Sequence, residues 1–231
     1  MLLVFYVLIF KIRTMKKLFF ILALSMPMAL MAQEKKDASV SIPQSENTIR
    51  MAAELSKYGY AHNDALSLIQ AARLCKQAGL VKADVEKKEE QGKESTAQKK
   101  GNISLDVAKL LADAKVKAVG NGVLLALIDE VGTTRGAVGG SRYNSTYVKA
   151  KGTDVYHISF RAGQTAVVTV IGDGDTDLDL YVYDENGNLI DKDVDYSDDC
   201  VVSFVPKWTG VFTIKIMNRG NLYNNYIMRT N

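Results

Sequence analysis

Residues 173–184, DGDTDLDLYVYD, carry an acid at every second position from Asp173 to Asp179. Eleven acids lie between Asp173 and Asp199, where Lys192 is the only base. Grouped carboxylates can hold Ca²⁺, which takes roughly six to eight oxygen ligands, or act as an acid–base pair in sugar hydrolysis. An EF-hand needs glycine at its sixth loop position, and Leu178 stands there, so the segment is not an EF-hand.

The second half of this segment alternates as a β-strand does. Apolar residues at positions 178, 180 and 182 alternate with Asp179, Tyr181 and Tyr183, which indicates one buried and one exposed face. We therefore expect Asp179 on the solvent face of the strand. The three preceding acids would lie in an approach loop as candidate Ca²⁺ ligands, namely Asp173, Asp175 and Asp177.

The sequence lacks the residue patterns that are usual for catalysis. His62 and His157 are the only histidines, and each is predicted to be a surface or packed side chain. The sequence has no GxSxG, HExxH or Cys–His arrangement, and no glycine-rich phosphate loop. We expect a non-catalytic protein; the alternative is a secreted hydrolase, or a hydrolase subunit, that uses carboxylate pairs as acid and base.

Residues 15–32 are typical of an export signal: Met-Lys-Lys, a short apolar run and a small residue, Ala32. We expect translation to begin at Met15 within a signal over residues 1–32, cleavage near Ala32, a polar linker over 33–44 and a periplasmic or secreted protein. The apolar run is shorter than the roughly 20 residues that a spanning helix needs. Cleavage removes four cations and no acid, so the net charge changes from +3 to −1 and does not indicate nucleic acid.

Two cysteines remain, Cys75 and Cys200, without the CxxC spacing of a redox or zinc site. An oxidising compartment would permit a disulfide between them, and the alternative is two buried free thiols.

Helical periodicity is confined to residues 45–132, which predicts one small helical unit. Within it, the charged stretch 82–102 is predicted to be a solvated helix extension or a mobile linker. Residues 123–131, VLLALIDEV, predict a short helix that would be buried.

The glycine-rich residues 133–146 are predicted to be a linker. After them, the spacing of apolar residues changes from that of helices to that of strands. Later segments alternate, such as DVYHISF and VFTIKIM, and turn signals such as ENGN separate them. The predicted fold class is α+β in two parts, a helical N-terminal unit followed by an antiparallel, jelly-roll-like β-sandwich over residues 147–231.

Aromatic residues offer a binding surface. Tyr181 and Tyr183 should share the outer face of one strand, and Trp208 is predicted in an exposed turn. These rings could form a sugar-stacking or protein-docking patch, or they could pack across neighbouring strands.

Residues 147–231 resemble the bacterial pre-peptidase C-terminal domain, through DGDTDLDLYVYDENGN, VSFVPKWTGVFTIKIMNRG and NNYIMRTN. The resemblance implies a secreted β-sandwich, with a core strand over 178–181 and a Pro-x-x-x-Gly turn over 206–210. Some related domains bind Ca²⁺ and help a parent enzyme adhere to protein or polysaccharide; Asp173, Asp175 and Asp177 match the acidic approach to the strand. The helical half resembles no family that we recognise.

These observations predict an exported, non-catalytic binding or accessory protein, with Ca²⁺ as a candidate cofactor. Its partner would be a protein or polysaccharide at the cell envelope or outside the cell, and neither nucleic acid nor, after signal cleavage, a membrane. A structural envelope protein is a further alternative.

Overall fold

The computed structural model describes residues 44–95, 101–134 and 142–231. The predicted export signal, nearly all of the polar linker and residues 135–141 of the glycine-rich linker lie outside this part of the chain. Within the described part, no helix is long and apolar enough to cross a bilayer.

The described part of the N-terminal half contains four helices: α1 (Gln44–Ala61), α2 (Ala65–Gln77), α3 (Val107–Lys117) and α4 (Gly122–Thr133). Asp64, Asp106 and Asn121 cap the last three, because each side chain accepts a backbone N–H of the first turn. α1 packs closely on α2 at Gly59, where a Cβ atom would lie 2.6 Å from Leu68 Cδ2. The predicted helical unit is confirmed.

In the described part of the chain the strands are β1 (Val81–Lys82), β2 (Lys88–Lys93), β3 (Arg142–Val148), β4 (Ala150–Phe160), β5 (Ala166–Gly172), β6 (Leu178–Tyr183), β7 (Leu189–Asp193), β8 (Asp199–Phe204), β9 (Gly210–Asn218) and β10 (Asn224–Thr230). They form two five-stranded sheets, with the orders β1-β3-β10-β5-β8 (sheet A) and β2-β4-β9-β6-β7 (sheet B). Every pair whose register is known is antiparallel except β1 with β3. The predicted sandwich of two sheets is confirmed.

Sheet A lies between two hydrophobic cores. Tyr143, Ile171 and Ile227 project from its outer face into the core of the helices. Side chains on the inner face of sheet A, such as Val170 and Tyr226, fill the core between the two sheets. All seven residues of β5 are consequently buried, as expected for a strand covered on both faces. The outer face of sheet B is the exposed side of the sandwich.

The charged stretch 82–102 is neither a helix extension nor a free linker throughout. Its first part contributes strands to both sheets, because β1 pairs with β3 and β2 pairs with β4. Between them, Val85 packs against the sandwich core. Lys87 Nζ donates to Asp154 Oδ2 at 2.9 Å. Backbone pairing at a sheet edge does not need apolar side chains, so hydropathy did not reveal these strands. β3 likewise begins within the predicted linker 133–146.

The prediction that α4 would be a buried helix is wrong. Only Ile128 and Val131 are fully buried, and Val123 is 72% exposed. The helix packs at the edge of the helical unit, against α2 and α3. Its side chains Leu124, Leu125 and Leu127 pack against the core but are only partly buried.

Of the two alternatives for the cysteines, the structure has the second: Cys75 and Cys200 are both buried free thiols. Cys75 lies in the core of the helices, whereas Cys200 lies between the sheets. Burial raises the pKa of the Cys75 thiol to about 12, and burial also raises that of Cys200. Two separate cores keep the sulfur atoms apart.

A buried ion pair joins the helices to the sandwich. Glu46, in the first turn of α1, is completely buried, and Arg229 of β10 is 6% exposed. Arg229 Nη1 contacts Glu46 Oε2. The start of a helix favours a negative charge, so α1 itself helps to stabilise the buried carboxylate.

Candidate functional site

The acidic approach to β6 is held by backbone hydrogen bonds. Asp173 is buried, and its Oδ2 accepts a 2.7 Å bond from the Asn225 N–H. Asp175 Oδ1 accepts a 2.8 Å bond from the Gly101 N–H. Gly101 approaches so closely that a Cβ atom would lie 2.1 Å from the Asp173 carbonyl oxygen. Asp173 and Asp175 therefore anchor neighbouring segments.

Asp177 has a different environment. Its Oδ1 is shielded from solvent and has no hydrogen-bond partner among the described residues. Burial, followed by the negative charge of Asp179, raises the pKa of the Asp177 carboxyl. The described residues contain no group of three or more His, Cys, Asp or Glu side chains that could hold a metal ion. As arranged here, the three predicted ligands do not fit a shared Ca²⁺ site.

Asp179 is not solvent-exposed, contrary to the sequence expectation. It lies on the outer side of β6, but it is only 3% exposed. Arg219, which directly follows β9, covers it, and Arg219 Nε donates a 2.6 Å hydrogen bond to Asp179 Oδ2. The alternation of apolar and polar residues correctly predicted the side of β6 on which Asp179 lies. The burial of Asp179 depends on Arg219, which lies 40 residues further along the chain.

Tyr181 and Tyr183 form a stacked pair on the outer face of sheet B. Their ring centroids are 6.3 Å apart and the ring planes differ by 18°. The Tyr181 hydroxyl donates to Asp179 Oδ2 at 3.1 Å and accepts from Arg219 Nη2 at 3.2 Å. These bonds fix the first ring, while both rings remain partly exposed.

Polar side chains of the neighbouring strands flank the tyrosines. Tyr181 lies opposite Lys215 of β9 and Lys192 of β7, and Tyr183 lies opposite Thr213. Thr213 Oγ1 is 3.3 Å from His157 Nδ1 on β4. We call Tyr181, Tyr183, Lys192, Thr213, Lys215 and His157 the tyrosine face. Its polar members were missed by sequence reasoning, because only strand register brings them to the tyrosines.

Trp208 belongs to a turn at the end of the strands. Its Nε1 donates a 2.7 Å hydrogen bond to Glu185 Oε2. The indole stacks on the buried Phe212 ring, with centroids 6.1 Å apart. Trp208 therefore packs against the sandwich, and at 36% exposure it also lies in an exposed turn, as predicted. Tyr181 and Tyr183 are only partly exposed.

A second polar cluster lies inside the sandwich. The Tyr226 hydroxyl donates to Asp154 Oδ2 at 2.7 Å and lies 2.5 Å from the Tyr156 hydroxyl. Asn144 Nδ2 donates to the Tyr156 hydroxyl at 3.2 Å. Burial raises the pKa of Asp154, although Lys87 opposes the shift. Each of these four side chains is almost completely buried, so the cluster stabilises the interior and is closed to a macromolecular partner.

The comparisons with known proteins concern the sandwich. Residues 152–216 match the family model of the bacterial pre-peptidase C-terminal domain. The pre-peptidase C-terminal domain of a Bacillus anthracis collagenase is 11% identical, covers 39% of this chain and 89% of that chain, and has a TM-score of 0.35. The periplasmic g-type lysozyme inhibitor PliG of Aeromonas hydrophila is 14% identical, with coverages of 42% and 93% and a TM-score of 0.31. No curated protein sequence matches the chain.

Proposed function

From the match of residues 152–216 to the family model of the bacterial pre-peptidase C-terminal domain, we propose that the chain is an exported, non-catalytic binding protein. Its ligand is a polysaccharide, and the tyrosine face is the surface that binds it. The observation that carries the proposal is the pair of nearly parallel, partly exposed rings of Tyr181 and Tyr183 on an open sheet.

The rings suit the apolar face of a sugar. A pyranose presents C–H groups on its faces and hydroxyl groups around its rim. A fixed aromatic ring covers the C–H face at little entropic cost, and nearby polar side chains can bond the hydroxyl groups. Tyr181 is already held by Asp179 and Arg219, so its ring is ordered before a ligand arrives.

The breadth of the face suits a chain of sugars. In sheet B, β4 and β7 are separated by three inter-strand spacings, which give the face a width of about 14 Å. His157 lies towards one side, and Lys192 lies on the other. Lys192 and His157 combined with the tyrosine rings favour a hydroxyl-rich polysaccharide over an apolar ligand, whereas Lys215 Nζ is already paired with Glu90 Oε2 at 3.2 Å.

The acidic residues are better explained by structure than by hydrolysis. Asp173, Asp175 and Asp179 each accept hydrogen bonds that hold the sandwich together, and Asp154 is enclosed within it. A glycoside hydrolase of the usual kind requires two carboxylates that flank the scissile bond of its substrate. Ca²⁺ is left out of the proposal because the three approach carboxylates do not converge.

Sedimentation with insoluble polysaccharides tests the proposal. The chain is mixed with cellulose, chitin and purified peptidoglycan, and the bound fraction is measured over a range of polysaccharide concentrations. Tyr183→Ala should weaken binding about tenfold, as expected for loss of one stacked ring. Tyr181→Phe retains the ring but loses the hydroxyl bonds that hold it, so it should weaken binding less than Tyr183→Ala does.

Tyr196→Ala is the matched control, because Tyr196 is fully exposed and lies outside the tyrosine face. Equal binding by Tyr183→Ala and Tyr196→Ala would refute the tyrosine face as the glycan site. Absence of sedimentation with all three polysaccharides, together with Tyr183-dependent capture of a protein, would replace the polysaccharide by a protein partner.

A further inference from the structure

Two turns lie together at one end of the helical unit. The α1–α2 turn contains Asn63, and α3 ends at Lys117 close to it, because Lys117 Nζ donates to Asn63 Oδ1. α3 continues into the α3–α4 turn at residues 118–121. The two turns therefore form one surface, which we call the helical end.

Large apolar side chains are concentrated on the helical end. Val116, Val119 and Val123 are 75%, 81% and 72% exposed. Tyr58 and Leu66, on either side of the α1–α2 turn, are 53% and 44% exposed. Single exposed apolar residues are common in soluble proteins, but five around two adjacent turns form a patch of the kind that marks an interaction site.

The charge of the helical end is positive where it meets solvent. Its acids are engaged internally: Asp64 caps α2, and Asp113 accepts hydrogen bonds from Tyr60 and Lys109. Lys115 is exposed, and neither Lys115 nor Lys117 forms a salt bridge with an acid in the described part of the chain. Two cations thus border three protruding valines.

We propose that the helical end docks on an anionic lipid surface. The valines and Leu66 enter the headgroup region, Tyr58 lies at the polar boundary, and Lys115 and Lys117 face the lipid phosphates. Apolar side chains combined with lysines are the composition that favours interfacial binding to anionic membranes. Docking on a lipid surface would depart from the sequence-based prediction that the exported chain does not contact a membrane.

The shape of the surface favours a lipid over a second copy of the chain. Cβ atoms added at Gly120 and Gly122 would meet nothing within 4 Å, so the α3–α4 turn projects into solvent. A projecting turn enters a fluid interface without needing a complementary groove. Each partner of a stable protein interface buries about 800 Å², which is much more than three valines and two further side chains supply.

Vesicle sedimentation tests the inference with the full chain. The vesicles contain either phosphatidylcholine alone or equal parts of phosphatidylcholine and phosphatidylglycerol. Binding to the anionic vesicles should exceed binding to the neutral ones and should fall with salt. Lys115→Gln and Lys117→Gln should each weaken it about fivefold. The triple variant Val116→Ser, Val119→Ser, Val123→Ser should lose at least about tenfold.

The matched control is the triple variant Val81→Ser, Val194→Ser, Val205→Ser, which changes three exposed valines elsewhere on the chain. The apolar residues 18–32 are common to all variants, so they cannot cause a difference between the two triple variants. Equal vesicle binding by the two triple variants would refute the docking role of the helical end. Valine-dependent dimerisation in light scattering without vesicle binding would assign the surface to a second copy instead.

Discussion

Breaking the Glu46–Arg229 pair should separate the unfolding of the helices from that of the sandwich. Glu46→Gln keeps the size of the side chain and removes its charge, which leaves Arg229 buried without its carboxylate. Both residues are almost inaccessible to solvent, at 0% and 6%. Removing one member of such a buried pair costs about 3–5 kcal/mol of unfolding free energy, which is a large part of the stability of most domains.

Two spectroscopic signals report on the two parts of the molecule. Far-UV circular dichroism follows the helices, and the fluorescence of Trp208, the only tryptophan, follows the sandwich. In urea, the two signals of the parent chain should change together, because the core of the helices includes side chains of sheet A. In Glu46→Gln, the helical signal should change at a lower urea concentration than the fluorescence.

A double-mutant cycle separates the charge from the packing. Glu46→Leu combined with Arg229→Met replaces the pair with apolar side chains and should recover most of the stability lost by either single change. Glu130→Gln is the control, because the Arg73–Glu130 pair is exposed and such pairs contribute at most about 1 kcal/mol. If Glu46→Gln costs no more than Glu130→Gln, the buried pair does not stabilise the junction and the reasoning is wrong.

Three further predictions follow from individual side chains. Because the folded-state pKa of Asp154 is raised, its contribution to stability should fall as the pH rises through that pKa. Asp154→Asn should abolish this part of the pH dependence, and urea unfolding at mildly acidic and neutral pH measures it; identical pH profiles would contradict the raised pKa. A reducing agent should leave the melting temperature unchanged, because Cys75 and Cys200 are free; a decrease on reduction would reveal a disulfide. Millimolar Ca²⁺ should also leave melting unchanged, since the approach carboxylates do not converge, and a rise that Asp177→Asn abolishes would restore the Ca²⁺ hypothesis.

The tyrosine face shows what local sequence can predict. Alternation at a period of about 2 is a property of neighbouring residues, so the outward direction of Tyr181 and Tyr183 could be predicted without a fold. The polar residues beside them could not, because Lys215 and Thr213 reach the tyrosines through the register of β6 with β9. Register depends on pairing between distant segments, and hydropathy along one segment does not contain it.

The sequence by itself determined the class of the fold: the change of period separates helices from strands, and the C-terminal motifs indicate the domain family. The tertiary structure decided which side chains are accessible. Arg219 covers Asp179, two separate cores divide Cys75 from Cys200, and edge pairing turns part of a charged stretch into strands. Periodicity is local and can be seen in a single segment, whereas burial depends on which distant segment packs on top of it.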